Sequence, residues 1–277
     1  ISKKPNYYPI FYQFILNLKL HRKIKLNKSL LISKLRSKLR KGEVSCGSWQ
    51  QIPHPSISEL LASENYDWIC VDLEHGSIEF SQLPILFCAI ERYNVLPFAR
   101  LGKSDSYHAH MALEAGAAGI IFPMISCGDQ INSLIQDSSW PPSGNRGVGF
   151  SRACLYGKNF ESHKNLARNP FFVAMIESKE GVRNLESIVS IEDLDAVIIG
   201  PYDLSASYNL LGDFNSHEFK EILTNIKNIC KKYSKPFGIH IVEPSIKKYN
   251  EAIAEGYNFI SYSTDALFFQ ASSQKPG

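Results

Sequence analysis

Glu177 and Asp203 are the pair of residues in this chain whose types and positions first suggest chemistry. Each follows an apolar run that reads as a β-strand, Phe171–Ile176 and Ala196–Gly200, and the two runs are consecutive. Carboxylates at the ends of adjacent strands converge within reach of one ion. Two carboxylates without cysteine, completed by water and substrate oxygens, favour a hard divalent cation such as Mg²⁺ or Mn²⁺. Helix capping by Glu177 and a surface ion pair for Asp203 would answer the same spacing. His75 follows Asp72 and Glu74 after the run Trp68–Leu73. Carboxylates beside an imidazole can fix its tautomer and make it a base near neutral pH, although a structural histidine bonded to a loop carbonyl fits as well. Arg100 ends the run Leu96–Arg100. Its guanidinium fork suits a substrate carboxylate, or equally an ion pair at a barrel rim. Trp49 ends the first run, and His240, inside Phe237–Ile241, has no evident role.

These residues need a scaffold that brings strand ends to one mouth. From Glu43 onward, eight apolar runs rich in Val, Ile and Phe alternate with helical patterns. The remaining runs are Val44–Trp49, Gly119–Met124 and Phe259–Ser263. Helical patterns fall near 56–64, 80–92, 105–115, 129–137, 180–190, 215–233, 244–255 and 265–271. Runs this continuously apolar read as strands buried on both faces. Eight strands in strict alternation with eight helices predict a single-domain (β/α)8 barrel, with its chemistry at the C-terminal strand ends. A doubly wound sheet would more often show a glycine-rich first turn, and none follows Trp49. The long irregular stretch Trp140–Lys158 reads as a lid or a subunit contact. Its Gly144, Gly147 and Gly149 lack the strand–loop–helix setting of a phosphate cradle.

The chain has 277 residues with 44% hydrophobic and 21% charged content, an ordinary globular balance that excludes a disordered chain. No apolar stretch is long enough to span a bilayer. Twelve of the 30 Lys and Arg residues, and no Asp or Glu, fall in residues 1–41, which leaves the rest at a net charge of −9. The acidic body gives no ground for nucleic-acid binding. Residues 1–28 read as a basic extension separate from the barrel over 29–277. Within the latter, Ile32, Leu35 and Leu39 predict a short amphipathic helix over 29–41, capped by Ser29, that covers one barrel end. Six cysteines at wide, irregular spacing suggest a reducing, cytoplasmic setting. No lysine after residue 41 falls inside a predicted strand, so a buried Schiff-base amine is not expected.

In order, the chain carries Gly47-Ser48-Trp49 with Pro53 and Glu59, the run DLEHG at 72–76, Arg100, GAAGIIFPM at 116–124, RGVGFSRA at 146–153, MIES at 175–178 and IGPYDLS at 199–205. This series resembles the HpcH/HpaI aldolase family over about residues 29–270. The resemblance implies a (β/α)8 barrel using Mg²⁺, Mn²⁺ or Co²⁺. It implies reversible cleavage of a 4-hydroxy-2-oxo acid to pyruvate and an aldehyde through a metal-stabilised enolate. By position, Glu177 and Asp203 match the metal ligands, His75 the base, and Arg100 the arginine at the keto and carboxylate oxygens. Gly200 and Tyr202, beside Asp203, match the turn that binds the substrate carboxylate, and Trp49 matches a wall of the pyruvate pocket. Glu114 stands where an Asp partners the catalytic histidine, and its longer side chain would reach His75; a surface glutamate at a helix end is the other reading. Met175 stands where some members have Gln. The family also implies a hexamer of swapped dimers with the last helix exchanged. Related barrels act on acyl-CoA thioesters, as citrate lyase β and malyl-CoA lyase do, which require a basic surface for the nucleotide. A third reading is a non-catalytic scaffold.

Overall fold

In the computed structural model, which describes residues 27–273 and 275, eight parallel strands close into a barrel in sequence order, β1 pairing with both β2 and β8. The strands are β1 (Ser45–Gln50), β2 (Trp68–Asp72), β3 (Leu96–Arg100), β4 (Gly119–Phe122), β5 (Phe171–Ile176), β6 (Ala196–Ile199), β7 (Phe237–Ile241) and β8 (Phe259–Thr264). The (β/α)8 barrel expected from the alternating pattern is therefore the fold. The basic extension up to residue 26 lies outside the described residues.

The barrel interior is closed by aromatic rings. Trp68 stacks on Phe259 at 4.8 Å and on Phe98 at 5.5 Å, and Phe171 lies 5.3 Å from Phe98. Gly47 makes room for this layer, because a Cβ there would lie 2.1 Å from the Trp68 ring. Helix α1 (Lys28–Arg40) plugs the N-terminal end by packing Ile32, Leu35 and Leu39 against the same interior cluster. Its cap is Asn27, whose side chain accepts the Leu30 N–H at 3.0 Å, and not Ser29, which lies inside the helix. Gly42, at φ +73°, ends the segment. Arg36 fastens α1 to the wall by a fork on Asp195 at 2.6 and 2.8 Å.

The outer layer comprises α2 (Pro55–Ser63), α3 (Leu83–Glu91), α4 (Ser106–Ala115), α5 (Gly128–Ser138), α6 (Phe160–Arg168), α7 (Lys179–Arg183), α8 (Leu185–Val189), α9 (Pro201–Ser207), α10 (His217–Lys232), α11 (Ile246–Ala254) and α12 (Asp265–Ser272). Two of these depart from strict alternation. Helix α6 completes the long connection before β5, and α9 starts directly on the end of β6. The helix expected over 180–190 is broken at Asn184 into α7 and α8.

The stretch 140–158 lies at the N-terminal end of the barrel. Helix α5 runs back from the mouth, so the chain that follows it leaves at the floor. There Arg146 pairs with Glu114 at the end of α4, and Arg152 bonds the Ala115 carbonyl and Glu91. This corrects the lid reading for the mouth of the same chain. No helix among the described residues is long and apolar enough to cross a membrane.

Candidate active site

Asp72 organises the C-terminal mouth. It ends β2 opposite Arg100 on β3, and this register sets the two side chains together inside the barrel. Arg100 donates through Nε to Oδ1 at 2.9 Å and through Nη2 to Oδ2 at 2.6 Å. Both side chains are almost wholly buried, at 6% and 1% exposure. Gln51, just after β1, donates to Asp72 Oδ2 at 2.9 Å, while the backbone N–H groups of Glu74 and His75 donate to Oδ1. The pairing holds Asp72 below the usual carboxylate range against the opposing effect of burial. It also keeps Arg100 charged. The Arg100 guanidinium lies 4.5 Å above the Trp49 ring. With Nε and Nη2 held by Asp72, Nη1 is left facing Glu74 at 3.2 Å and the Met175 sulfur at 4.0 Å.

Beside this clamp opens a cavity of about 340 Å³ lined by His75, Arg100, Met175, Glu177, Gly200, Tyr202, Asp203 and His240, among others. The structure thus brings together six of the residues expected at the site: His75, Arg100, Glu177, Gly200, Tyr202 and Asp203. Glu177 is buried, at 3% exposure, and its Oε1 accepts the Met124 N–H at 2.6 Å. Met124 presents that N–H from a left-handed backbone, φ +50°. Gly200 serves this carboxylate sterically: a Cβ there would lie 2.5 Å from Glu177 Oε2. Its own N–H is directed at the Ile176 carbonyl at 3.4 Å, so it is not a free donor for a substrate carboxylate. Asp203 and Tyr202 are exposed at the rim. Burial, with the charges of Glu74 and Asp203 adding to it, pushes Glu177 up to about 7. Glu74 is also raised by burial, opposed by Arg100.

Glu74, Glu177 and Asp203 therefore share one guanidinium that Asp72 already neutralises, and Glu74 Oε2 has only the ion pair with Arg100 Nη1 at 3.2 Å and no hydrogen bond. A divalent cation fits this excess of negative charge. Among the described residues no three His, Cys, Asp or Glu side chains form a ready-made ligand cluster. Glu177 and Asp203 supply two hard oxygen donors, which is the donor number expected where water and substrate complete the shell.

Three expectations need correction. Glu114 does not reach His75. It ends α4 at the floor, where its carboxylate accepts from the buried Arg146 at 3.0 Å, whereas His75 follows β2 at the mouth. Trp49 is fully buried beneath Arg100 and is no wall of the cavity. The His75 ring is not held by Asp72, which takes only its backbone N–H; Glu74 Oε2 is 3.9 Å from Nε2, and the ring is 57% exposed. Reading the sequence missed Gln51, Met124 and Asp265. Asp265 follows β8 and accepts the backbone N–H groups of Gln51 and Ile52 at 2.9 Å each. Gln51 and Asp265 lie immediately after strands, the signal that found Glu177, and Met124 lies two residues past β4.

The profile of the HpcH/HpaI aldolase/citrate lyase family matches residues 46–271. A 2-keto-3-deoxy-L-rhamnonate aldolase of Escherichia coli O17:K52:H18 is 30% identical over 244 residues, covering 87% of this chain and 90% of that protein. The crystal structure of an HpcH/HpaI aldolase/citrate lyase family protein from Burkholderia cenocepacia J2315 superposes with a TM-score of 0.80 at 26% identity, covering 87% of this chain and 96% of that one. An HpcH/HpaI aldolase from Desulfitobacterium hafniense DCB-2 shares the fold with a TM-score of 0.78 at 23% identity, covering 88% and 98%. The match spans every strand that delivers a residue to the mouth, and on that ground the chain belongs to the HpcH/HpaI aldolase/citrate lyase family.

Proposed function

We propose that this protein is a divalent-metal-dependent aldolase that reversibly cleaves a 4-hydroxy-2-oxo acid to a 2-oxo acid of the pyruvate type and an aldehyde. The observation that carries the reading is the buried Glu177 carboxylate, set with Asp203 around one cavity beside a clamped Arg100 and close enough to Glu74 to feel its charge. A hard cation held by Glu177 and Asp203 would act as a Lewis acid toward the 2-oxo acid.

The chain's own groups account for binding and proton movement. Arg100 Nη1, which Asp72 leaves unused and which faces Glu74 at 3.2 Å, turns from that contact to meet the keto and carboxylate oxygens. Because Asp72 fixes the fork beforehand, little reorganisation is required as negative charge develops on the keto oxygen. His75, on the loop after β2, takes the proton of the C4 hydroxyl. The C3–C4 bond then breaks, its electrons pass toward the keto carbonyl, the aldehyde departs, and C3 regains a proton. Among the described residues no lysine lines the cavity, so none of them offers an amine for a Schiff base there.

The test is release of the 2-oxo acid from a panel of 4-hydroxy-2-oxo acids, beginning with 2-keto-3-deoxy-L-rhamnonate because a relative carries that name. Turnover should stop on chelation and return with Mg²⁺, Mn²⁺ or Co²⁺. Trapping of a substrate adduct by borohydride, or turnover that survives chelation, would overturn the reading.

A further inference from the structure

Asp265 is buried, and its carboxylate is given over to backbone N–H groups. Oδ1 accepts from Gln51 at 2.9 Å and from Ala266 at 2.8 Å, and Oδ2 accepts from Ile52 at 2.9 Å. Asp265 is the first residue of α12, yet two of these donors belong to the chain that leaves β1. Bonds from N–H groups to an ionised carboxylate are short and strong, so Asp265 fixes that chain more firmly than a neutral side chain would.

A bulge aims this carboxylate. Ser261 of β8 stands opposite Gly47, and Thr264 opposite Trp49, three steps on one strand against two on the other. The extra length includes Ser263, whose φ of +54° is left-handed, an uncommon state for a residue other than glycine. An unbroken ladder would set Ser263 opposite Trp49 and turn each side chain after it to the other face. Ser48 holds the irregularity from β1 by donating to the Tyr262 carbonyl at 2.9 Å. Strain kept at a strand end beside the cavity points to a task for the residue that it re-aims.

Gln51 carries the constraint inward. Its backbone is fixed by Asp265, and its side-chain amide donates to Asp72 Oδ2 at 2.9 Å, the oxygen that also takes Arg100 Nη2 at 2.6 Å. The two oxygens of Asp72 are not held alike. Oδ1 accepts from Arg100 Nε and from the backbone N–H groups of Glu74 and His75, whereas Oδ2 accepts from Arg100 and Gln51. Without Gln51, Arg100 would be the one donor left on Oδ2 among the described residues. A fork whose direction is set only by the group it grips leaves that group free to turn.

We propose that Asp265, aimed by the bulge at Ser263, is a positioning residue for Arg100 and acts through Gln51 and Asp72. The inference rests on the aldolase reading for its kinetic test alone. Asp265 touches neither substrate nor metal in this role, and no bond changes at it.

The experiment compares Asp265→Asn, Gln51→Met and their double variant in the full chain with saturating Mg²⁺. Arg36→Gln, which loosens the α1 anchor on Asp195 at the floor, is the control for a purely structural loss. Asp265→Asn and Gln51→Met should each lower kcat for a 4-hydroxy-2-oxo acid by about ten- to a hundredfold, the scale of a displacement of up to 1 Å at the reacting atoms. KM should change by less than about threefold, because a prefixed fork matters most as charge develops on the keto oxygen. The double variant should lose no more than Gln51→Met alone, since both act along one path. Trp49 emission, obtained in each background by subtracting the Trp49→Phe spectrum, should shift in both single variants, because Arg100 lies 4.5 Å above that ring. Arg36→Gln should lower Tm with kcat and Trp49 emission unchanged. Wild-type kcat in either single variant, losses that multiply in the double variant, a loss expressed in KM alone, unshifted Trp49 emission, or an equal kcat loss in Arg36→Gln would each overturn the proposal. If Asp265→Asn does not fold, Gln51→Met, which alters no backbone bond, decides by the same readings. If the wild type cleaves no 4-hydroxy-2-oxo acid, the aldolase reading fails, and Trp49 emission still tests the positioning of Arg100.

Discussion

Asp72→Asn tests the central contact of the mouth. The substitution preserves shape and leaves one oxygen to accept from Arg100, but it removes the charge that matches the guanidinium. Both partners are buried, with contacts of 2.9 and 2.6 Å. Breaking such a pair costs about 3–5 kcal/mol, and the lower end applies because the amide oxygen remains. A loss of about 3 kcal/mol in a domain of this size lowers Tm by roughly 6–12 °C. The direction of the pH dependence follows from the depressed Asp72 carboxyl. Its stabilisation is complete above the unfolded value of about 3.9 and is lost as pH falls through the lower folded value. The difference in Tm between wild type and Asp72→Asn should therefore be constant near pH 7 and shrink in acid. Activity should fall further than stability. Released from Asp72, Arg100 can turn toward Glu74, 3.2 Å away, and a displacement of about 1 Å at the reacting atoms costs on the order of 10²-fold in rate. The assays are thermal melts across pH and kcat with saturating metal. Arg100→Lys alone and in combination with Asp72→Asn should show non-additive losses. A folded Asp72→Asn protein with wild-type Tm and kcat would refute the clamp.

Three further outcomes follow from other contacts. Glu177, raised to about 7, holds a proton that competes with a cation, so Mn²⁺ affinity measured by calorimetry should rise with pH and weaken about tenfold per unit below that value; affinity flat from pH 5 to 8 would exclude Glu177 as a ligand. Gly200→Ala should cost metal affinity by about tenfold or more with only a small change in Tm, because the new Cβ meets Glu177 Oε2 and not the hydrophobic core. Glu114→Gln should leave the pH–rate profile unchanged and lower stability by about 2 kcal/mol, since Arg146, with 1% of its side chain exposed, loses its carboxylate; a shifted acid limb would return Glu114 to the mechanism.

Much of the mouth was legible because a closed barrel makes position along the chain equivalent to position in space. Once eight alternating units are recognised, every residue just after a strand faces the same cavity, and His75, Glu177 and Asp203 follow from that rule. The pairings among them were not legible. Asp72 and Arg100 meet through the β2–β3 register, and a set of strand ends does not fix which neighbour a side chain will choose. Met124 was missed for a different reason: it acts through its backbone N–H, which any residue type would supply. Helix α9 was missed because Pro201 reads as a break after β6, although proline is also well suited to the first turn of a helix.

Glu114 and His240 show the same rule failing and succeeding. The helix after β3 must run antiparallel to its strand, so its last turn lies at the floor. A residue two positions before the turn into β4 is thereby placed a full barrel length from any residue after β2, whatever its side chain. Glu114 accordingly finds Arg146, on a connection that also leaves from the floor. The barrel's directionality excludes the pairing with His75 more strongly than the length of a glutamate side chain recommends it. His240 is the converse case. Alternation along β7 turns it to the interior, opposite to Ile239 and Ile241, and its place near the C-terminal end of the strand lifts it to the cavity. Its Nε2 is buried there without a hydrogen-bond partner. That depends on the neighbouring strand, whose Ser261 stands opposite it, and so it becomes visible only when β7 and β8 are seen side by side.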